Sequence, residues 1–290
     1  YTLSLHDAQR GFIDTSCGAL HYRSMGEGQQ TVVLLPQTDR SSRMYLNLMR
    51  ALSSRFRTIA IDPPGLGESD PVYLGISFPE IAGAIFEALQ RLGVEQANVY
   101  GIHAGNKWAA ALAARGGSLV QRLVLAGQSH SLIPDQKLRN AAVNIVVKDR
   151  LSPQTPLIEW CRLFPKISAL WLSAETLTDI EQRTSHISQS QLIVDHIQAF
   201  HATREMYRAN FEYDFEADLR RIRQPTLIIE ITTPEEDKLI GRQGSSICDL
   251  VPDARVVNID EPGGIGLTLE NKAHEIARIL AQFFEQPVAL

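Results

Sequence analysis

Five short apolar runs recur along the chain: TVVLLP at 31–36, FRTIAID at 56–62, NVYGI at 98–102, RLVLAG at 122–127 and PTLIIE at 225–230. Short Val-, Ile- and Leu-rich runs bounded by turn residues predict strands buried on both faces of a parallel sheet. Between them the period changes. SFPEIAGAIFEALQRLGV at 77–94 spaces its apolar residues along one face of a helix, with Pro79 near the start and Gly93 past the end. VYGIHAGNKWAAALAA at 99–114 runs from strand to alanine-rich helix through a turn framed by Gly101 and Gly105, with His103 at its tip. The alternation predicts an α/β fold, a mostly parallel central sheet flanked by helices. From about Pro134 to Glu216 the strand runs stop, and helical segments carrying Trp160, Trp171, Tyr207 and Phe211 take over. A helical cap over 135–215 is expected, inserted into a core formed by 10–134 and 216–290.

The opening YTLSLHDA reads as translated sequencing adapter, so residues 1–9 are expected to be a non-native segment outside the fold. Composition narrows the class of protein. A chain of 290 residues with 44% apolar and 21% charged content can bury one large core. A net charge of −5 without a basic stripe argues against nucleic acid, and no stretch approaches 18 unbroken apolar residues. Cys17, Cys161 and Cys248 lie far apart without CxxC spacing, which predicts neither a disulfide framework nor a thiolate zinc site. The expectation is a cytoplasmic protein that acts on a small molecule, needs no membrane and has an oligomeric state the sequence does not specify.

The chemistry concentrates at the glycine-framed turn. A strand-to-helix turn spelled Gly-x-Ser-x-Gly exposes a serine nucleophile on a strained backbone; here His103 takes the place of the serine. With the DPPGLGESD stretch at 62–70, QRLVLAG at 121–127, LVPDARVVNID at 250–260 and LTLENKAHEIARILAQFF at 267–284, the chain resembles the capped α/β hydrolases. Small esterases, epoxide hydrolases and haloalkane dehalogenases are of that kind. The resemblance covers nearly everything from about residue 12 onward and implies a pocket at the carboxyl edge of the sheet, with no cofactor and no metal.

The same resemblance exposes departures. The family's acid follows the strand PTLIIE, where Glu235, Glu236 and Asp237 crowd one loop; the run DKLI makes Asp237 the best match, and a solvated acidic turn is the alternative. Where the family carries its histidine, GGIGLTLE places Ile265, and His274 lies too far along, in the last helix. The oxyanion amides map to Ala104, just after the turn residue, and to Thr38 in a loop reading Pro36-Gln37-Thr38-Asp39 where relatives carry His-Gly. Gln37 adds a side-chain amide that could reach the pocket.

A histidine at a helix N-terminus meets the positive end of the macrodipole, which favours neutral imidazole, a general base. His103 is therefore expected to activate water or move a proton beside a carbonyl, with His130, after the strand RLVLAG, projecting from the same sheet edge. Hydrolysis of a small ester, lactone or other carbonyl compound is the first expectation. Proton-transfer chemistry of a lyase or isomerase is an alternative, as is a non-catalytic binder that kept the pocket and lost the triad. Ser129 or Ser131 as a displaced nucleophile lacks the glycine-framed turn. The two histidines with Asp39 or Asp237 also spell a two-His-one-carboxylate metal set, without the local spacing of a metal motif.

Overall fold

The computed structural model describes residues 8–127, 132, 180–232, 241–260 and 270–286. The strands β1 (Gln9–Thr15), β2 (Gly18–Met25), β3 (Gln30–Leu35), β4 (Phe56–Ile61), β5 (Ala97–Ile102), β6 (Val120–Ala126), β7 (Thr226–Thr232) and β8 (Ala254–Asp260) form one sheet. Its order is β1-β2-β4-β3-β5-β6-β7-β8. The β1–β2 and β2–β4 pairs are antiparallel, and every pairing from β4 to β8 is parallel.

Burial on both faces explains the unbroken apolar runs. Side chains alternate across a strand, and in β3 Val33 and Leu35 enter one hydrophobic cluster while Val32 and Leu34 enter the other. In β6 Leu123 and Leu125 divide from Val124 and Ala126 in the same way. The first cluster is covered by α2 (Phe78–Arg91) and α3 (Ala104–Arg115). The second is covered by α1 (Leu46–Leu52) and by the C-terminal helix Ala273–Phe284. The five predicted strands correspond to β3 to β7. The sequence runs did not include β1, β2 and β8, which lie at the sheet's two ends; β1, QRGFIDT, is largely exposed and supplies no continuous apolar run.

Helix α2 forms where expected, and its start has a specific cause. Ser77 caps the Glu80 amide while the Glu80 carboxylate accepts from the Ser77 amide, so two otherwise orphaned donors are satisfied. Gly93, with φ of 70°, ends it. Strand β1 begins at Gln9, paired with Ser24, and Ala8 is buried, so the segment set aside from the sequence meets the sheet at its last two residues. Residues 1–7 lie outside the described residues.

Across the expected cap interval, the described part is α4 (Ile180–Glu212), followed by α5 (Phe215–Leu219). Ala199, Ala202, Met206 and Ala209 of α4 are buried in the cluster that holds α2 and α3. Glu205 accepts from the Gly75 amide at 3.0 Å, and Arg208 donates to the Ile76 carbonyl at 2.6 Å, fastening α4 to the segment before α2. After β7, α6 (Gly244–Cys248) starts beside buried Glu230, whose carboxylate accepts from the Gln243 and Gly244 amides at 2.6 Å each. The C-terminal helix is α7.

Candidate functional site

The corner between β5 and α3 is strained. His103 has φ of 50° and ψ of −111°, one of two non-glycine residues with positive φ among the described residues, the other being Asp39. Such a conformation costs of order 1–3 kcal/mol and persists where its surroundings over-determine it. The surroundings are specific here. The His103 amide donates to the Ala126 carbonyl at 2.8 Å, and its carbonyl accepts from the Asn106 amide at 3.1 Å. A Cβ at Gly101 would stand 2.2 Å from the Gly105 carbonyl oxygen, and one at Gly105 would stand 2.2 Å from the Leu35 carbonyl oxygen. Only glycine fits at either position, so the frame legible in the sequence is a steric requirement of the corner.

The close approach of Gly105 to Leu35 and Pro36 sets the start of α3 against the end of β3. The next residues of that chain are Gln37 and Thr38, so the β3 loop and the corner bearing His103 and Ala104 are neighbours. Thr38 and Ala104 are buried, His103 and Gln37 partly so. The Gln37 side-chain oxygen is buried without a hydrogen-bond partner among the described residues. Both ends of the loop are anchored. Tyr45 donates its hydroxyl to the Leu35 carbonyl at 2.6 Å, and the Ser42 amide donates to the Asp62 carboxylate. Asp62 itself is held by His21 Nδ1 at 2.8 Å and the Glu68 amide at 3.1 Å, the latter from the DPPGLGES turn.

The His103 ring lies over the end of β6. A Cβ at Gly127 would come within 2.6 Å of the imidazole Cε1 and Nδ1, and Gly127 has φ of 76°, so the position favours glycine on both counts. Asn106 donates from Nδ2 to the Ala126 and Gly127 carbonyls at 3.4 and 3.2 Å, pinning this corner to α3. Neither residue stands out in the sequence as part of the site. Gly127 closes an apolar strand run, a position where a glycine often signals a turn with positive φ.

Asp39 is turned to α4. It is buried and accepts from Thr203 Oγ1 at 2.9 Å and the Tyr207 hydroxyl at 3.4 Å, which makes it a link to α4 rather than a vacant ligand beside His103. On α4, His201 and Arg204 are exposed, and Tyr207 faces the β3 loop. His130, Asp237 and Ile265 lie outside the described residues, as do Ser129 and Ser131. No group of three or more His, Cys, Asp or Glu able to hold a metal ion occurs among the described residues. None of the described helices is long and apolar enough to cross a membrane.

One further buried group flanks the corner. Lys107, one helical turn beyond His103, donates to Asn210 of α4 and lies 5.9 Å from the centre of the Phe215 ring. Complete burial strips its ammonium of water and pushes its pKa down to about 7.

The model of the alpha/beta hydrolase fold family matches residues 30–155. A 2-hydroxy-6-oxononadienedioate/2-hydroxy-6-oxononatrienedioate hydrolase from Pseudomonas putida is 34% identical over 113 residues, a match covering 37% of this chain and 40% of the relative. The chain thus spans about two fifths of the length of the first curated relatives it matches. A Caulobacter protein bearing a carbamate-hydrolase name is 28% identical over 253 residues, covering 83% of this chain and 85% of the relative. The solved enol-lactonase from Burkholderia xenovorans superposes with a TM-score of 0.72 at 18% identity, over 95% of this chain and 100% of that one. At that identity the likeness is one of fold. The family match takes in the β5–α3 corner and the superposition takes in 95% of the chain, so the chain has the α/β-hydrolase fold.

Proposed function

We propose that this protein is a cofactor-free hydrolase of a small ester, lactone or other carbonyl compound, with His103 as the general base. The observation that carries the reading is the backbone of His103, φ of 50° and ψ of −111°, at the tip of a glycine-framed corner. A residue concerned with packing alone has no need of that strain, whereas a reacting side chain presented at the sheet edge does. The names of the relatives support the same chemistry: an oxo-dioate, a carbamate and an enol-lactone each offer a carbonyl carbon to water.

In this reading the imidazole of His103 takes a proton from a water molecule as the resulting hydroxide adds to the carbonyl carbon. The amides of Ala104 and Thr38, with the Gln37 side chain beside them, donate to the oxyanion that develops. The imidazolium then returns the proton to the departing oxygen, and no acyl-enzyme forms. Asp237 and His130 are assigned as the groups that orient the base and the water. A small-molecule substrate, no nucleic acid or membrane partner, a helical cap over 135–215 and a cytoplasmic location belong to the same proposal.

Short-chain esters and lactones screened for turnover, beside the same compounds screened for thermal stabilisation, test this reading. Turnover by the purified chain is the expected result. Stabilisation without turnover would contradict it and identify a ligand binder instead.

A further inference from the structure

The β3 loop and α4 exchange carboxylates. From the loop, Asp39 accepts from Thr203 Oγ1 and the Tyr207 hydroxyl of α4. From α4, Asp195 accepts from Arg40 Nε at 3.2 Å, the Ser41 amide at 3.3 Å and Ser41 Oγ at 2.7 Å. Asp39, Arg40, Ser41 and Asp195 are all buried. Positions 195, 203 and 207 fall within one sector of the helix, so a single face of α4 lies along three consecutive loop residues.

Two features separate this from ordinary packing. Asp39 holds φ of 67°, a conformation in which a side chain is strained, and its carboxylate is the part that reaches α4. The residue next to it is Thr38, the assigned second oxyanion donor. The loop that usually relies on glycine therefore carries a side chain that ties its left-handed residue to the long helix. Charged acceptors buried with several donors make strong, directional contacts, and a donor displaced by a fraction of an ångström loses much of its effect on a developing oxyanion.

We propose that Asp39 and Asp195 are positioning residues which strap the Gln37–Ser41 loop to α4 and thereby aim the Thr38 amide at the substrate carbonyl. This rests on the hydrolase reading above. A substrate that moves α4 would also move the donor, making oxyanion stabilisation dependent on how that helix is seated.

The test compares the parent with Asp39→Gly, Asp39→Asn and Asp195→Asn. Glycine suits the left-handed backbone, and Thr203 Oγ1 still donates to the Ala199 carbonyl at 3.0 Å, so Asp39→Gly is expected to fold. Amide exchange of the 37–41 peptide is followed by mass spectrometry, and kcat and KM are measured with p-nitrophenyl acetate. In Asp39→Gly and Asp195→Asn, exchange should quicken and kcat fall by about tenfold, with KM within about threefold. Asparagine tolerates the left-handed region and keeps an acceptor for Thr203, so Asp39→Asn should stay near the parent in both readouts. Unchanged exchange in both loosening variants, with normal parent turnover, would overturn the strap. Faster exchange in the variants, beside a parent without turnover, would refute the hydrolase reading and leave the strap standing.

Discussion

In the proposed reading His103 stands where a serine hydrolase of this fold carries its nucleophile, and a histidine there changes what the protein can form covalently. Serine-directed fluorophosphonate probes should leave the protein unlabelled in intact-mass measurements; stoichiometric labelling mapped to Ser129 or Ser131 would show a displaced nucleophile. Lys107 makes a second prediction at this scale. Its folded pKa of about 7 lies below its ordinary value of 10.5, so between these limits the unfolded state binds the more protons. Its contribution to stability should therefore rise with pH across that window, by at most about 1.4 kcal/mol per pH unit, and show no gain below it. The advantage of Lys107→Met over the parent in melting temperature should accordingly be larger at pH 6.5 than at pH 9.5. An advantage that is flat with pH would mean that the lysine is solvated in the native state. Neither Lys107 nor Gly127 was flagged by sequence, although a lone lysine amid NKWAAALAA marks a charge in a buried helix. The His103 corner was legible because two glycines at fixed spacing are a steric demand that leaves its trace in composition.

Among the elements, β3 to β7 and helix α2 were readable from apolar runs and end signals, because each is buried on a defined face and punctuated by residues with a specific backbone role. The outer strands were not: β1 and β8 each have a sheet partner on one side only, and their polar residues cost little on an exposed face. The tie between α4 and the β3 loop was equally hidden. It joins residues more than 150 positions apart, and Asp39 in the sequence looks the same whether it binds a metal, a substrate or Thr203. The docking of α3 on β3 yields a prediction of its own. Because a Cβ at Gly105 would sit 2.2 Å from the Leu35 carbonyl oxygen, a backbone atom without freedom to swing away, Gly105→Ala should cost about 1–3 kcal/mol in chemical denaturation. It should also lower turnover, since the corner and the Thr38 loop would be pushed apart. Unaltered stability would show that α3 can slide on the sheet at no cost.

At the scale of the whole molecule, the sheet brings three segments distant in sequence to one edge: the β3 loop, the β5–α3 corner and the Gly127 end of β6. This convergence at the carboxyl ends of parallel strands is where α/β sheets bind ligands. It brings a strained histidine beside the segment that carries Gln37 and Thr38. The fold assignment follows from the sheet, whereas the hydrolase reading follows from what stands at the corner. The direct test is therefore kcat/KM for the parent and His103→Ala, measured on the best substrate from the ester and lactone screen, with melting temperatures recorded for both. General-base catalysis by His103 predicts a fall of about a hundred- to ten-thousandfold in the variant, with its melting temperature close to the parent's. A folded His103→Ala variant that retains activity within about threefold would contradict the account.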